Sequence, residues 1–320
     1  MNDFKSDKEY RALKSRFDIY YIEKLLPLLK EAEKFRKRYV HNFWVLFWFA
    51  AIFYPLLLLL IYNMKKTVDS PQFGLAISLS AIVMAILTGP IYKYKKKAKN
   101  NGIMKEFASF FGTFEYEFEQ TLPDDLLEYS HIFAGFSINK GDDFFVGSYK
   151  DVGISIAEEK LQKIYYTKKR RRKITVFKGI CVLLDMNKPF VGRTVVLKDK
   201  GLLNTFKRIS GMQKVQLEDL FFEKIFEVFS DDQIEARYLL TTAFMERVLK
   251  LRDLFGGKSI QFSFFNDKLL FAIPTNKDMF EPCSFFKTAI NKPQVDLVFD
   301  QFYTVFSIIK ILKLNQKIGM

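Results

Sequence analysis

The densest run of groups able to do chemistry is Asp231, Asp232, Gln233, Glu235 and Arg237. Carboxylates this close share a proton or hold a hard cation. The same residues also suit a plainer role: Ser230 with Gln233 resembles a capping box, followed by an internal Glu–Arg pair. A ligand or catalytic carboxylate site at Asp231, Asp232, Glu235 and Arg237 therefore stands as an expectation beside helix capping. Glu218-Asp219 is a weaker second cluster. Gly256-Gly257-Lys258-Ser259 ends like a phosphate loop, but the earlier glycine falls at Arg252, and the pair closes a helix instead of opening one after a strand. Neither GxGxxG nor GxSxG occurs. His41 and His131 are too few and too far apart for a histidine-based metal site, and nothing marks a nucleophile for His131. The reading assigns no catalytic residue, no metal and no cofactor. Cys181 and Cys283, without a CxxC, fit a reduced cytosolic domain.

Cationic chemistry is more localised. The net charge is +14. Residues 1–100 carry 18 basic against 8 acidic residues, and residues 101–320 carry 32 against 28. Without the run Lys168, Lys169, Arg170, Arg171, Arg172 and Lys173, the second part is net negative. This run reads as the tip of a long hairpin. Its plain role is a solvated turn; its functional role is contact with anionic lipid headgroups, where each basic residue contributes about 1 kcal/mol. Lys95, Lys96 and Lys97 are a second such group. Nucleic acid is not expected as a partner, because no aromatic platform accompanies the run.

Two apolar stretches position everything else. Phe43–Tyr62 and Phe73–Tyr92 contain no charged residue. Roughly 20 such residues span about 30 Å of hydrocarbon, and backbone groups in lipid demand helices. The expectation is a transmembrane hairpin (helices 43–62 and 73–92) after a cytoplasmic amphipathic segment (1–42), and before a cytoplasmic α+β domain (93–320). Lysines and arginines flank its outer ends, so both termini are expected in the cytoplasm of a multi-pass inner-membrane protein. Ala81, Ala85 and Gly89 form a small-residue stripe for helix packing, on the hairpin partner or between copies. Pro55 is expected to kink the first span.

Around this hairpin, residues 8–38 read as an amphipathic helix interrupted at Pro27, either on the inner leaflet or docked on the domain. Ile103–Phe118 reads as helix from its phenylalanine spacing, and Asn139–Asp143 as a turn. Strands are expected at Phe144–Tyr149, Val152–Ile156, Ile174–Leu184, Phe190–Leu197, Lys258–Phe264 and Lys268–Ile273. Helices are expected at Leu202–Arg208, Ala243–Phe255 capped by Thr242, and Val295–Leu314. The fold class is α+β, mainly antiparallel.

Several stretches carry a resemblance: Gly141–Asp143, Phe177-Lys178-Gly179, Asp185–Lys188, Thr194–Asp199, Val215–Asp219, Ser230–Leu240 (SDDQIEARYLL), Phe244–Arg247 (FMER) and Ala272-Ile273-Pro274. Through them the chain resembles an uncharacterised bacterial membrane-protein family built on a domain of unknown function. Met186 stands where that pattern has an aromatic, and Lys198 where it has proline. The resemblance implies two N-terminal transmembrane helices and a cytoplasmic α+β domain. It implies no activity. With no catalytic motif, the sequence points to a membrane-anchored binding or scaffold module with an unidentified protein partner; a membrane-tethered enzyme is the rival.

Overall fold

The computed structural model describes residues 5, 7–64, 72–167, 170–186, 189–199, 211–257 and 259–314. The helices are α1 (Lys8–Tyr20), α2 (Leu26–Met64), α3 (Gln72–Lys99), α4 (Ile103–Ser109), α5 (Asp124–Tyr129), α6 (Leu220–Glu223), α7 (Gln233–Leu239), α8 (Thr242–Leu254) and α9 (Lys292–Leu312). The strands are β1 (Thr113–Phe118), β2 (Ile138–Tyr149), β3 (Val152–Thr167), β4 (Arg170–Asp185), β5 (Thr194–Lys198), β6 (Gln213–Val215), β7 (Phe226–Ser230), β8 (Gln261–Phe265) and β9 (Lys268–Pro274). Among the described residues they form one nine-stranded antiparallel sheet, ordered β1-β2-β3-β4-β9-β8-β5-β7-β6. The fold is α+β, with a long N-terminal helix and a large antiparallel sheet.

The chain divides into two compact units. One comprises Met1–Asp18, Phe107–Phe280 and Leu297–Met320; the other comprises Ile19–Glu106 and Glu281–Asp296. The sheet unit buries both faces of its strands. On one face, Ala157, Leu161, Phe177, Cys181 and Leu270 meet Leu122, Leu127 and Ile132 from α5 and its flanks. On the other, Phe145 packs on Phe280 and Phe302, and Tyr149 on Phe306. Sheets covered on both sides read as near-continuous apolar strands, as in Ile180–Leu184 and Leu269–Ile273.

Three expectations change. The helix expected over Ile103–Phe118 stops at Ser109, and Thr113–Phe118 pairs with β2. The segment TFEYEF alternates apolar and acidic, a period of two that the phenylalanine spacing upstream concealed. Asn139–Asp143 is no turn: it lies inside β2, whose register with β3 shifts between Gly141 and Phe144. Thr241, not Thr242, caps α8 through the Phe244 amide.

For α1, the first part of the amphipathic segment, the docking alternative holds. Tyr10 and Phe17 are buried against α9, with Phe17 4.5 Å from Phe299 and the Tyr10 hydroxyl donating to Asp300 at 2.6 Å. Lys310 of α9 pairs with Asp7 and Glu9. A single π-helical turn, Tyr21–Leu25, precedes Pro27 and lets the chain restart as α2, which continues through Pro55. The turns at Lys150-Asp151 and Asn266 have positive φ, and Gly256 and Gly257 end α8 in the left-handed region, where the glycine pair was expected to close a helix. Leu202–Arg208 lies outside the described residues.

Candidate functional site

The acidic motif is built into a clasp. Asp232 is the N-cap of α7, its Oδ1 accepting the amides of Ile234 and Glu235, both at 2.9 Å. Asp232 therefore holds the capping place that Ser230 was expected to take. The Glu235 carboxylate accepts two backbone N–H groups of the preceding loop, Val191 at 2.8 Å and Gly192 at 2.6 Å. Asp231 Oδ1 accepts the Arg193 amide at 2.5 Å. Ser230 Oγ donates to the Arg193 carbonyl and faces Thr194 Oγ1 at 3.0 Å. The loop lies so close that a Cβ on Gly192 would stand 2.5 Å from Asp231 Oδ1. Arg193 extends the clasp, donating to the Tyr129 carbonyl at 2.7 Å and covering its ring at 4.3 Å. Arg237 is exposed on α7 and takes no part in these bonds. The structure thus brings Asp231, Asp232 and Glu235 together to bind the chain's own amides. His131 lies beside this loop, where burial and the Arg193 charge hold its imidazole below the ordinary range, neutral at pH 7.

The basic run caps a projecting arm. β2 pairs with β3 only as far as Gln162, and β9 pairs with β4 only from Gly179. Beyond those points Lys163–Thr167 pairs with Arg170–Ile174 alone. Arg170, Arg171, Arg172 and Lys173 are exposed; Lys168 and Lys169 lie outside the described residues. The arm does carry aromatics: Tyr165 stands opposite Arg172 and Tyr166 opposite Arg171. Tyr166 is 77% exposed, with the Arg171 guanidinium 6.0 Å from its ring.

The sequence reading missed a third group of acids. The shift in β2 sets Asp142 and Asp143 beside Glu158 of β3, with one carboxylate oxygen of each within 4.8 Å of the others. The Tyr116 hydroxyl donates to Asp143 at 2.7 Å, and the Met279 amide donates to Glu158 at 3.1 Å. Burial, then the charges of Asp278, Asp143 and Asp142, pushes Glu158 up to about 8. Such an all-oxygen set suits a hard cation or a retained proton. Glu159 points to the opposite face and is 1% exposed. Its Oε1 accepts the Leu122 amide at 2.7 Å, and burial pushes it up to about 8. Glu159 Oε2 and Asn139 Oδ1 are both buried without a partner, so a proton on Glu159 supplies the missing donor. The only signal in the sequence was Gly141-Asp142-Asp143. Gly141 is opposite Glu159, where a Cβ would collide with the Gln120 carbonyl.

In the helical unit, α2 and α3 pack together, joined by a Tyr54–Ser80 hydroxyl hydrogen bond. The stretch Lys8–Leu56 is long and apolar enough to cross a membrane by length and composition, and is the one such stretch among the described residues; none of its apolar window is buried within the protein. Trp44, Trp48, Phe49, Ile52, Phe53 and Leu56 are exposed on α2, as are Ile82, Met84 and Ile86 on α3. An apolar cleft of about 460 Å³ lies between Phe49, Ala50 and Phe53 of α2 and Val83 and Leu87 of α3. Ala81 and Ala85 are exposed, and a Cβ on Gly89 would meet nothing within 4 Å. A second cleft, of about 420 Å³, is lined by Tyr39, Tyr92, Lys93, Lys96, Lys97 and Asn100. Lys95 turns away to pair with Glu281 at 3.2 Å.

Fold and site together define an α+β protein built on one antiparallel sheet, whose most distinctive motif is a backbone clasp. A DUF3137 domain, a protein family of unknown function, is found at residues 175–314, from β4 to just beyond α9. Among solved structures, the crystal structure of the mycobacterial trehalose monomycolate transport factor A, TtfA, is similar over 68% of this chain and 96% of that chain, at 14% identity and a TM-score of 0.38. A likeness that distant supports no argument about fold or function. No curated protein matches the chain.

Proposed function

We propose that the chain is a multi-pass protein of the bacterial inner membrane, a non-enzymatic binding or scaffold module. Phe43–Tyr62 and Phe73–Tyr92 form its transmembrane hairpin, both termini are cytoplasmic, and the α+β domain works at the inner surface with an unidentified protein partner. One observation carries the reading: large apolar side chains cover the outward faces of α2 and α3. An apolar surface of that extent in water is unfavourable, whereas hydrocarbon accepts it. Lysines and arginines at the outer ends of the two stretches favour a cytoplasmic location for both flanking segments. The carboxylate-enzyme reading is the weaker one, because the acids at its centre are engaged by backbone amides.

Within this reading the basic arm meets anionic headgroups. Arginines and lysine supply the charge, and exposed Tyr165 and Tyr166 suit the headgroup zone. Two measurements test the proposal. Alkaline carbonate should leave the full chain in the membrane pellet, and alkaline phosphatase should be active when inserted at residue 68 but not at the C-terminus. Release by carbonate, or an active C-terminal fusion, refutes the membrane topology. For the arm, tryptic cleavage at Arg170–Lys173 should be slower in nanodiscs containing phosphatidylglycerol than in phosphatidylcholine alone. Equal rates refute the lipid contact; protection by an oligonucleotide alone would reassign the arm to nucleic acid.

A further inference from the structure

The two clefts of the helix pair lie along one stripe. On α2, Tyr39 of the basic cleft is followed at seven-residue steps by Leu46 and Phe53, which line the apolar cleft. On α3, Ile86 of the apolar cleft is followed at the same step by Lys93 of the basic one and, one residue past the helix end, by Asn100. A seven-residue step returns an α-helix to within about 20° of the same face. The centres of the clefts are about ten residues apart along each helix, or about 15 Å at 1.5 Å per residue. That separates a polar head from the middle of an acyl chain.

The lining matches this division. Lys93 and Lys96 are exposed and make no ion pair among the described residues, and Lys97 lies 3.9 Å from the centroid of the Phe35 ring. Asn101, also in the basic cleft, has a buried side-chain Nδ2 without a hydrogen-bond partner. A buried donor without an acceptor is costly, and a phosphate oxygen would satisfy it. The apolar cleft is walled by aromatic and branched side chains, with the small Ala50 leaving room.

We infer that this stripe binds one anionic phospholipid. Its phosphate sits among Lys93, Lys96, Lys97 and Asn101, and an acyl chain lies over Ala50 between Phe49, Phe53 and Val83. The inference rests on the membrane reading above and adds a defined lipid site to it.

Full-length protein purified in mild detergent, incubated with dioleoyl-phosphatidylglycerol or dioleoyl-phosphatidylcholine, tests it by native mass spectrometry. The expected result is one phosphatidylglycerol per chain, not displaced by phosphatidylcholine. Lys93→Gln with Lys96→Gln should weaken it about fivefold per lysine removed. Ala50→Trp, which leaves every lysine in place, should weaken it too by filling the acyl cleft. Binding that is unchanged in both variants, or equal for the two lipids, overturns the inference in favour of a non-specific lipid annulus. Full displacement by millimolar inorganic phosphate would mean a free-phosphate pocket and also overturns it. Failure of the membrane reading is separate, since it appears as release by carbonate whatever the lipid count.

Discussion

The two adjacent acids of β3 make a quantitative prediction. Glu158 and Glu159 face opposite sides of the sheet, and both are pushed from an ordinary value of 4.5 up to about 8. A carboxyl raised in the folded state holds its proton there while the unfolded chain has lost it. Stability is therefore fully present below about pH 4.5, falls as pH rises, and levels off above about 8. Each unit is worth about 1.4 kcal/mol per group, so each acid alone removes on the order of 5 kcal/mol across that window. For a sheet unit of this size that corresponds to a loss on the order of 10 °C in melting temperature. Glu159→Gln isolates one contribution. Its amide can still accept the Leu122 N–H and offers a permanent donor toward Asn139. Thermal unfolding of the full-length chain in an uncharged detergent, monitored by circular dichroism from pH 5 to 9, reads the effect. At pH 5 the variant should melt close to the parent; at pH 8.5 it should melt several degrees higher, with a shallower pH slope. A parent whose stability stays flat or rises over this range, or a variant less stable than the parent at pH 8.5, refutes the assignment of retained protons.

The same geometry makes three further predictions. Glu235→Ala strips acceptors from the Val191 and Gly192 amides and should cost about 2 kcal/mol in denaturant unfolding, whereas Arg237→Ala on the same helix should cost almost nothing. Asp232→Ala removes the cap of α7 and should cost about 1 kcal/mol, with Asp232→Asn largely restoring it. Gly141→Ala forces a Cβ onto the Gln120 carbonyl and should destabilise by about 3 kcal/mol, visible as a lower urea midpoint.

Local spacing was the part of the fold legible in the sequence. Runs rich in β-branched and aromatic residues marked β4, β8 and β9, and Gly256-Gly257 marked the end of α8. Two charge-free runs marked most of α2 and α3. Readings failed where two periods overlapped or where the partner was distant. Phe107, Phe110, Phe111, Phe114 and Phe118 fit a helical spacing throughout, whereas Phe114, Tyr116 and Phe118 also fit a strand period of two, and only pairing with β2 decides between them. Gly141-Asp142-Asp143 has turn composition, yet the ladder with β3 holds it extended and converts the one extra residue into a bulge. Glu158 and Glu159 lie in a run, Glu158-Glu159-Lys160, that reads as solvated surface. Their burial depends on layers supplied by residues near 122 and 280.

The clasp explains why the strongest motif was silent about function. SDDQIEARYLL is distinctive because almost every polar atom at its start has a fixed backbone partner: Ser230 the Arg193 carbonyl, Asp231 the Arg193 amide, Asp232 the first amides of its own helix, Glu235 the Val191 and Gly192 amides. Geometry this specific constrains residue type as tightly as catalysis would. Ala236 and Leu239 then anchor the helix in the core. A motif whose identity is set by such bonds reports the scaffold, and it leaves few polar atoms for a ligand. Chemistry directed outward must instead come from polar groups that the fold leaves at its surface. Among the described residues these include the exposed arginines and tyrosines of the β3–β4 arm, and the exposed Lys93 and Lys96 of the helix pair. Both groups are cationic. Their charge suits an anionic partner. Under the proposed function that partner is a lipid surface.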